Sequence, residues 1–232
     1  MKLIILAAGK GTRLYPLTKD VPKALVPIKD KKLIDYVLSP FLSSISEIIF
    51  VINDGLGFKI KEYITDNYHD KKVKYVIQST GDLKGTMMAL EKAKHLLENE
   101  ERFCVCNCDD LFNELEIQKA IESRRVGIGI SKLVMPWNYL GIRFNEKSLQ
   151  VEGFERHTDK KSTVEDYFSN GFHILTPEIF SFTKELAGKD EYGLPQTLFA
   201  NLDKLPLHAF LFKDWQPVNS LEDLEKAKRN SS

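Results

Sequence analysis

Residues 6–14, LAAGKGTRL, place four small positions, Ala7, Ala8, Gly9 and Gly11, directly behind an apolar run. Two cations follow, Arg13 and then Lys23. Small side chains leave backbone N–H groups bare, so a phosphate can approach them closely. An Arg can clamp phosphate oxygens bidentately, whereas a Lys acts as a compact point charge. Lys23 lies in DVPKALVP, where Pro22 and Pro27 stiffen the loop and fix its direction. Together the two cations could neutralise charge building on a phosphate under attack. Taken singly, each reads equally well as an ordinary surface cation. Lys10 reads as a solvated loop residue with the option of touching outer phosphates. The spacing is not that of a P-loop, and the third glycine of the dinucleotide fingerprint is missing.

The elements that must hold this turn are legible in the periodicity. Apolar runs at 2–6, 47–52, 73–77 and 102–106 read as buried strands, and helix-period segments at 33–42, 58–68 and 86–97 lie between them. Strands alternating with helices imply right-handed crossovers and a mainly parallel sheet. Such a sheet binds ligands beyond the carboxyl ends of its strands. Both the glycine turn and the Asp109-Asp110 pair fall at such ends, so they can meet across one cleft. From residue 126 the pieces VGIGISKLV, YLGIRFN, LQVEGFERH and SNGFHILT are shorter and more antiparallel in flavour. Helix-like pieces at 177–186 and 221–228 flank a strand-like HAFLF. The expectation is one α/β domain over 1–232, with a Rossmann-like, mainly parallel mixed sheet flanked by helices. Residues 1–125 form its mainly parallel half, and 126–232 a small antiparallel half.

Composition narrows the classes. Lys and Arg number 33 against 33 Asp and Glu, so no global field draws the chain to nucleic acid or to an anionic membrane. No apolar run reaches the length of a membrane helix, and the first residues are too short for a signal-peptide core; a cytoplasmic protein is expected. Cys104, Cys106 and Cys108 alternate in FCVCNCDDLF and would share one face of a strand, a spacing that suits neither a zinc knuckle nor a disulfide framework.

GKGTRLYPLTKDVPKALVPI closely resembles the signature G-x-G-T-R-(L/M)-x-P-L-T-x-x-x-P-K-x-(L/M)-x-P-(I/V) of the sugar-phosphate nucleotidyltransferase family. The resemblance implies an enzyme that joins a nucleoside triphosphate to a phosphorylated small molecule, usually a sugar 1-phosphate, and releases pyrophosphate. It assigns Arg13 to the triphosphate and the leaving pyrophosphate, and Lys23 to the phosphates at the reacting centre. It gives Leu6, Ala7, Ala8, Gly9, Gly11 and Thr12 to nucleotide binding. FCVCNCDDLF resembles the family's metal-binding segment, with Asp109 as the Mg²⁺ ligand and Asp110 ranked second; a turn cap is the plainer reading of Asp109. WQPVNSLEDLEKAK resembles the closing segment, but Pro217 stands where a first acidic ligand is common. Asn219 therefore becomes the second Mg²⁺ ligand, with an N-cap on the following helix as its alternative and Ser220 an equal candidate for that cap. QSTGDLKGTMMAL resembles the nucleobase segment: Gln78 would read a base edge, Gly85 would let the backbone come close, and Thr86 would follow, across a gap longer than usual. Gly141, Glu155, Asn170 and Gly171 resemble the acceptor-contacting set, and Arg156 could pair with the acceptor phosphate. His157 and His173 carry no motif and read as structural or solvated. A CTP-dependent enzyme acting on phosphocholine, with Trp137, Tyr139, Tyr167 and Phe172 as rings of an ammonium cage, is the rival within the family. A nucleotide-binding regulatory subunit without catalysis is the rival from another class. The base, the acceptor and assembly into a homo-oligomer stay open.

Overall fold

A computed structural model describes residues 1–136, 140–156 and 163–230, without the side chains of residues 135, 136, 140 and 156. Four parallel strands form its centre: β1 (Lys2–Ala7), β2 (Glu47–Asn53), β3 (Lys71–Gln78) and β4 (Phe103–Asn107). β1 lies between β2 and β4, and β3 follows β2. Leu3 to Ile5 in β1 and Ile48 to Ile52 in β2 are fully buried, as expected of strands covered on both faces. Three helices cover this half: α1 (Leu33–Leu38), α2 (Phe58–Ile64) and α3 (Thr86–Lys92).

The sheet continues without a break into the second half. After the two-residue strand β5 (Asp110–Leu111) and the helix α4 (Glu114–Glu122) come β6 (Gly127–Pro136), β7 (Leu140–Phe144), β8 (Val151–Arg156) and β9 (Thr163–Leu175). β9 runs antiparallel to β4, β6 and β7: it pairs with β6 at both ends, with β7 at Phe168 and with β4 at His173 to Leu175. The helix α5 (Leu194–Phe199) follows, then β10 (His208–Phe212), which pairs parallel with β6. β11 (Gln216–Pro217) and α6 (Leu221–Asn230) complete the described chain. The core is two apolar layers, one on each face of the sheet.

Several expected helices are shorter than the periodicity suggests. The segment at 33–42 is helical to Leu38 and then tightens into a 3₁₀ turn at Ser39–Phe41, where Pro40 has no N–H to continue the ladder. The segment at 58–68 stops at Ile64, because Thr65 adopts φ 62, and continues as a two-residue strand at Asn67–Tyr68. The segment at 86–97 is α-helical only to Lys92. Residues 177–186 do not form a helix: they are a 3₁₀ turn at Pro177–Ser181 leading to a short strand at Leu186–Gly188. Two further helices carry weak patterns. α4 buries only Ile117 and Ala120 while Leu115 is exposed, and its start is fixed by Asn113, whose side chain accepts from Leu115 N. α5 opens on Gly-Leu-Pro, which reads as a turn but places Pro195 in the first turn of a helix, where its missing N–H is harmless.

Cys104, Cys106 and Cys108 are buried in the same core layer and free. Burial pushes the Cys104 thiol up to about 12, so these are inert packing groups rather than nucleophiles.

Candidate active site

The bare turn begins where β1 ends. Gly11 adopts φ 65, a left-handed conformation that suits glycine, and its carbonyl accepts from Leu14 N at 3.0 Å and Thr18 Oγ1 at 2.7 Å. A Cβ at Gly11 would lie 3.3 Å from Lys23 Cβ, so the turn and Lys23 are packed together. A Cβ at Gly9 would meet nothing within 4 Å, so packing gives no reason for a glycine there. The Ala8 carbonyl accepts from Asn53 Nδ2 at 3.3 Å, while Asn53 Oδ1 accepts from Gly55 N and Gly57 N. That side chain ties the bare turn to the end of β2. Arg13 lies exposed on the 3₁₀ turn Thr12–Leu14, Thr12 beside it is exposed as well, and the Arg13 guanidinium has no partner among the described residues.

Lys23 opens a second 3₁₀ turn, Lys23–Leu25, pinned by buried Ala24, Leu25 and Val26. Lys23 is 8% exposed, and its ammonium donates to Asp109 Oδ2 and, at 3.1 Å, to Asn219 Oδ1. Three residues far apart in the chain thus meet at one point. What brings Asn219 there is the antiparallel pairing of β5 with β11, extended by Val218 N donating to the Asp109 carbonyl at 2.9 Å. What frees its side chain is the cap of α6. Ser220 Oγ accepts from Asp223 N, and Asp223 Oδ2 accepts from the backbone N–H groups of Asn219 and Ser220. The cap is a reciprocal Ser-x-x-Asp box, and Asn219 points elsewhere.

Asp110, ranked second by sequence, points the other way. It is buried, with Oδ1 accepting from Trp215 Nε1 and Oδ2 from Asn107 Nδ2. Burial and the neighbouring Asp109 hold its carboxyl well above the usual carboxylate range. Gly171 packs on this network: at φ 83, a Cβ on it would fall 2.2 Å from Asp110 Oδ2.

Other expected site residues make contacts within the chain. Gln78 Nε2 donates to the Leu83 carbonyl at 2.9 Å and so holds the 79–84 loop. Gly85 has φ 103, and a Cβ there would lie 2.1 Å from the Tyr192 carbonyl oxygen; the chain that demands this glycine is its own, through the segment before α5. Thr86 Oγ1 accepts from Leu194 N at the same junction. Asn170 is fully buried, its Nδ2 donating to Ser131 Oγ and its Oδ1 accepting from Phe172 N, so its amide is committed to the bulge in β9 and not to an acceptor. Glu155, across the ladder from Gly141, pairs with Arg143, which also grips both oxygens of Asp166 at 2.9 Å. Periodicity gave no hint of Asn53, Asn107 or Arg143. The Asn-Asp-Gly run after β2 was a turn signal that could have drawn attention to Asn53.

Leu6, Thr86, Asn107 and Gly171 share the wall of one cavity of about 270 Å³ on the face of the sheet covered by α3 and α5. Residues expected to bind nucleotide and acceptor therefore border a common space beside Asp110. Of the rings proposed for an ammonium cage, Phe172 is fully buried against Phe41 and Phe112, and Tyr167 packs edge-on against Phe144. Trp137, Tyr139 and His157 lie outside the described residues, as does the side chain of Arg156.

The family model described as Nucleotidyl transferase matches residues 2–232. A bifunctional IPC transferase and DIPP synthase of Aquifex aeolicus is 27% identical over 227 residues, covering 97% of this chain and 50% of that protein. A D-glycero-alpha-D-manno-heptose 1-phosphate guanylyltransferase of Campylobacter jejuni is 27% identical over 217 residues, 93% of this chain and 92% of that protein. The chain thus spans half the length of the first relative and most of the second. Among solved structures, a UDP-glucose pyrophosphorylase complexed with UDP-glucose superposes with a TM-score of 0.82 at 22% identity, covering 98% of this chain and 97% of the other. An inositol-1-phosphate CTP transferase from T. maritima gives 0.79 at 20% identity, covering 100% and 97%.

Proposed function

Because the chain belongs to the nucleotidyl transferase family, we propose that it joins a nucleoside triphosphate to a phosphorylated small-molecule acceptor, a sugar 1-phosphate in the first instance, and releases pyrophosphate. The observation that carries this reading is the convergence of Lys23, Asp109 and Asn219 beside the bare turn at Gly11. The acceptor's phosphate oxygen attacks the α-phosphorus, a P–O bond forms, the α–β P–O bond breaks, and the electron pair leaves on pyrophosphate. The phosphate is already a nucleophile, so the step needs alignment and charge neutralisation more than a general base.

In this reading the N–H groups from Ala8 to Gly11 take phosphate oxygens, Arg13 closes on the triphosphate from its exposed turn, and Lys23 neutralises charge at the reacting phosphorus. The residues present also fit a magnesium ion. An ammonium held between a carboxylate and an amide oxygen marks a point where two hard oxygen donors favour a cation. Asp109 and Asn219 would hold the ion, with phosphate and water supplying the other oxygens, and when bound it supplies further charge neutralisation on the phosphates. The assembled Lys23–Asp109–Asn219 cluster argues against a regulatory subunit without catalysis, since an inert binder has no need to preserve it. The scattered positions of Phe172 and Tyr167 argue against a phosphocholine cage built on them.

The test is pyrophosphate release by the full chain with Mg²⁺, from each of five nucleoside triphosphates against a set of sugar 1-phosphates and phosphocholine. Release with at least one pair is expected. None with any pair overturns the reading.

A further inference from the structure

Asp110 stands directly beside a candidate cation ligand, yet both of its oxygens are engaged elsewhere. It is 3% exposed. Oδ2 accepts from Asn107 Nδ2 at 2.8 Å, at the end of β4, and Oδ1 accepts from Trp215 Nε1 at 2.9 Å, one residue before β11. β9 packs close behind the pair, since a Cβ at Gly171 would lie 2.2 Å from Asp110 Oδ2 and 2.3 Å from Asn107 Nδ2. A buried carboxyl costs free energy that only good hydrogen bonds offset. Here those two bonds join the central strand β4 to the closing segment of the chain.

That segment needs an anchor. β11 is two residues long, with Gln216 opposite Leu111 and Pro217 opposite Asp110, and Pro217 has no N–H to give to the ladder. So short a pairing fixes register weakly, and a slip of one position turns every side chain to the opposite face. Asn219 would then lose its place beside Lys23, because that place depends on where β11 sits. Two further ties on the segment hold backbone groups: Glu116 Oε1 accepts from Lys213 N at 2.9 Å, and the Asp109 carbonyl accepts from Val218 N at 2.9 Å. Any residue supplies such an N–H, so these ties do not read register. The indole N–H belongs to Trp215 alone, and its bond to Asp110 does.

We propose that Asp110 is a positioning residue: by accepting from Trp215 it sets the register of β11, and thereby how tightly Asp109 and Asn219 hold a divalent cation. This goes beyond the transferase reading and rests on its assignment of magnesium to those two side chains.

Urea unfolding midpoints of the full chain are measured across a MgCl2 series, with NaCl matched for ionic strength, and the half-saturating Mg²⁺ concentration is read from them. Trp215→Phe keeps an apolar ring and deletes the N–H, whereas Asp110→Ala deletes the acceptor. Each should raise the half-saturating concentration about tenfold or more, the usual cost of losing a group that orients a metal ligand. The double variant should go little further than either single one, since both break one contact. Asp110→Asn keeps an oxygen for Trp215, with the Asn107 amide turned to accept from the new NH2 group, and should stay within about threefold of the native protein. A purely structural contact would lower the midpoints equally at every Mg²⁺ concentration and leave half-saturation unchanged. Should Trp215→Phe not fold, Asp110→Ala set against Asp110→Asn carries the test. Unchanged half-saturation in Trp215→Phe and Asp110→Ala overturns the proposal, as does an Asp110→Asn variant damaged as much as Asp109→Asn, which would make Asp110 a ligand. A native protein whose midpoints do not respond to Mg²⁺ overturns the magnesium assignment together with the proposal, a different result.

Discussion

Replacing Lys23 with methionine keeps an unbranched stem of similar length in a buried slot and deletes the ammonium that Asp109 and Asn219 share. Asp109 is then left with a charge and without its cation, its side chain only 17% exposed. Removing one partner of a buried ion pair costs 3–5 kcal/mol in general; the partial exposure of Asp109 places the loss near the lower bound, about 3 kcal/mol. Magnesium should restore most of it. An ion at 100 times its Kd stabilises the folded state by about 2.7 kcal/mol, and in the variant it need not compete with the ammonium for the same two oxygens. Urea unfolding with and without MgCl2, with NaCl matched for ionic strength, reads both effects: a large deficit without Mg²⁺, a small one with it, and a half-saturating Mg²⁺ concentration below that of the native protein. Turnover should fall about 10²–10³-fold, the loss typical of removing one group that stabilises transition-state charge. Equal magnesium responses in variant and native protein, or turnover within tenfold, would refute the idea that Lys23 occupies the cation position and serves the reaction.

Three further outcomes follow from the described contacts. The folded pKa of His173 lies near 4 against 6.5 for the free side chain, so the unfolded chain takes up the proton first as pH falls. Stability is therefore whole above about pH 6.5 and declines between 6.5 and 4, with about 2 kcal/mol lost at pH 5; His173→Phe should remove that decline from urea midpoints measured between pH 7 and pH 5, and parallel curves would contradict it. Gly85→Ala combines φ 103 with a Cβ 2.1 Å from the Tyr192 carbonyl, so it should cost about 3 kcal/mol or more and loosen the contact between α3 and α5, seen as faster amide exchange at Tyr192 and Leu194. Ser220→Ala deletes the cap of α6 and should cost about 1 kcal/mol in thermal or urea unfolding, with a lowered Mg²⁺ response if the cap is what holds Asn219 in place.

Much of the candidate site was legible because its parts sit in short runs of sequence. The turn from Ala7 to Gly11, Lys23 between two prolines, and Asp109 after an apolar strand each carry a local reason for their residue types, and Lys23 and Asp109 are in contact. The parallel core was legible too, since strands buried on both faces lack alternation and stand out as continuous apolar runs. What stayed hidden depends on contacts between distant segments. No local pattern reveals that Gly85 answers to Tyr192, that the Gln78 amide is taken by Leu83, or that Asn170 turns inward to Ser131 while its neighbour Ser169 stands unpaired. Along a bulged strand, inward and outward positions no longer alternate, so the motif Ser-Asn-Gly-Phe-His cannot be divided between core and cavity by counting. The choice between Asn219 as ligand and as helix cap was open for the same reason; the Ser220–Asp223 box decides who caps.

The two-residue ladder between β5 and β11 has a consequence for biosynthesis. Strands β1 to β4 and the glycine turn emerge from the ribosome before residue 219 and have their own parallel pairings to make, so the oxygen it contributes arrives only after all of them. Until that late segment threads back beside Asp109, the nascent protein holds a Lys23–Asp109 pair lacking its third member. The strands and the turn can therefore form on the growing polypeptide before the cluster is complete, which awaits the segment that carries residue 219.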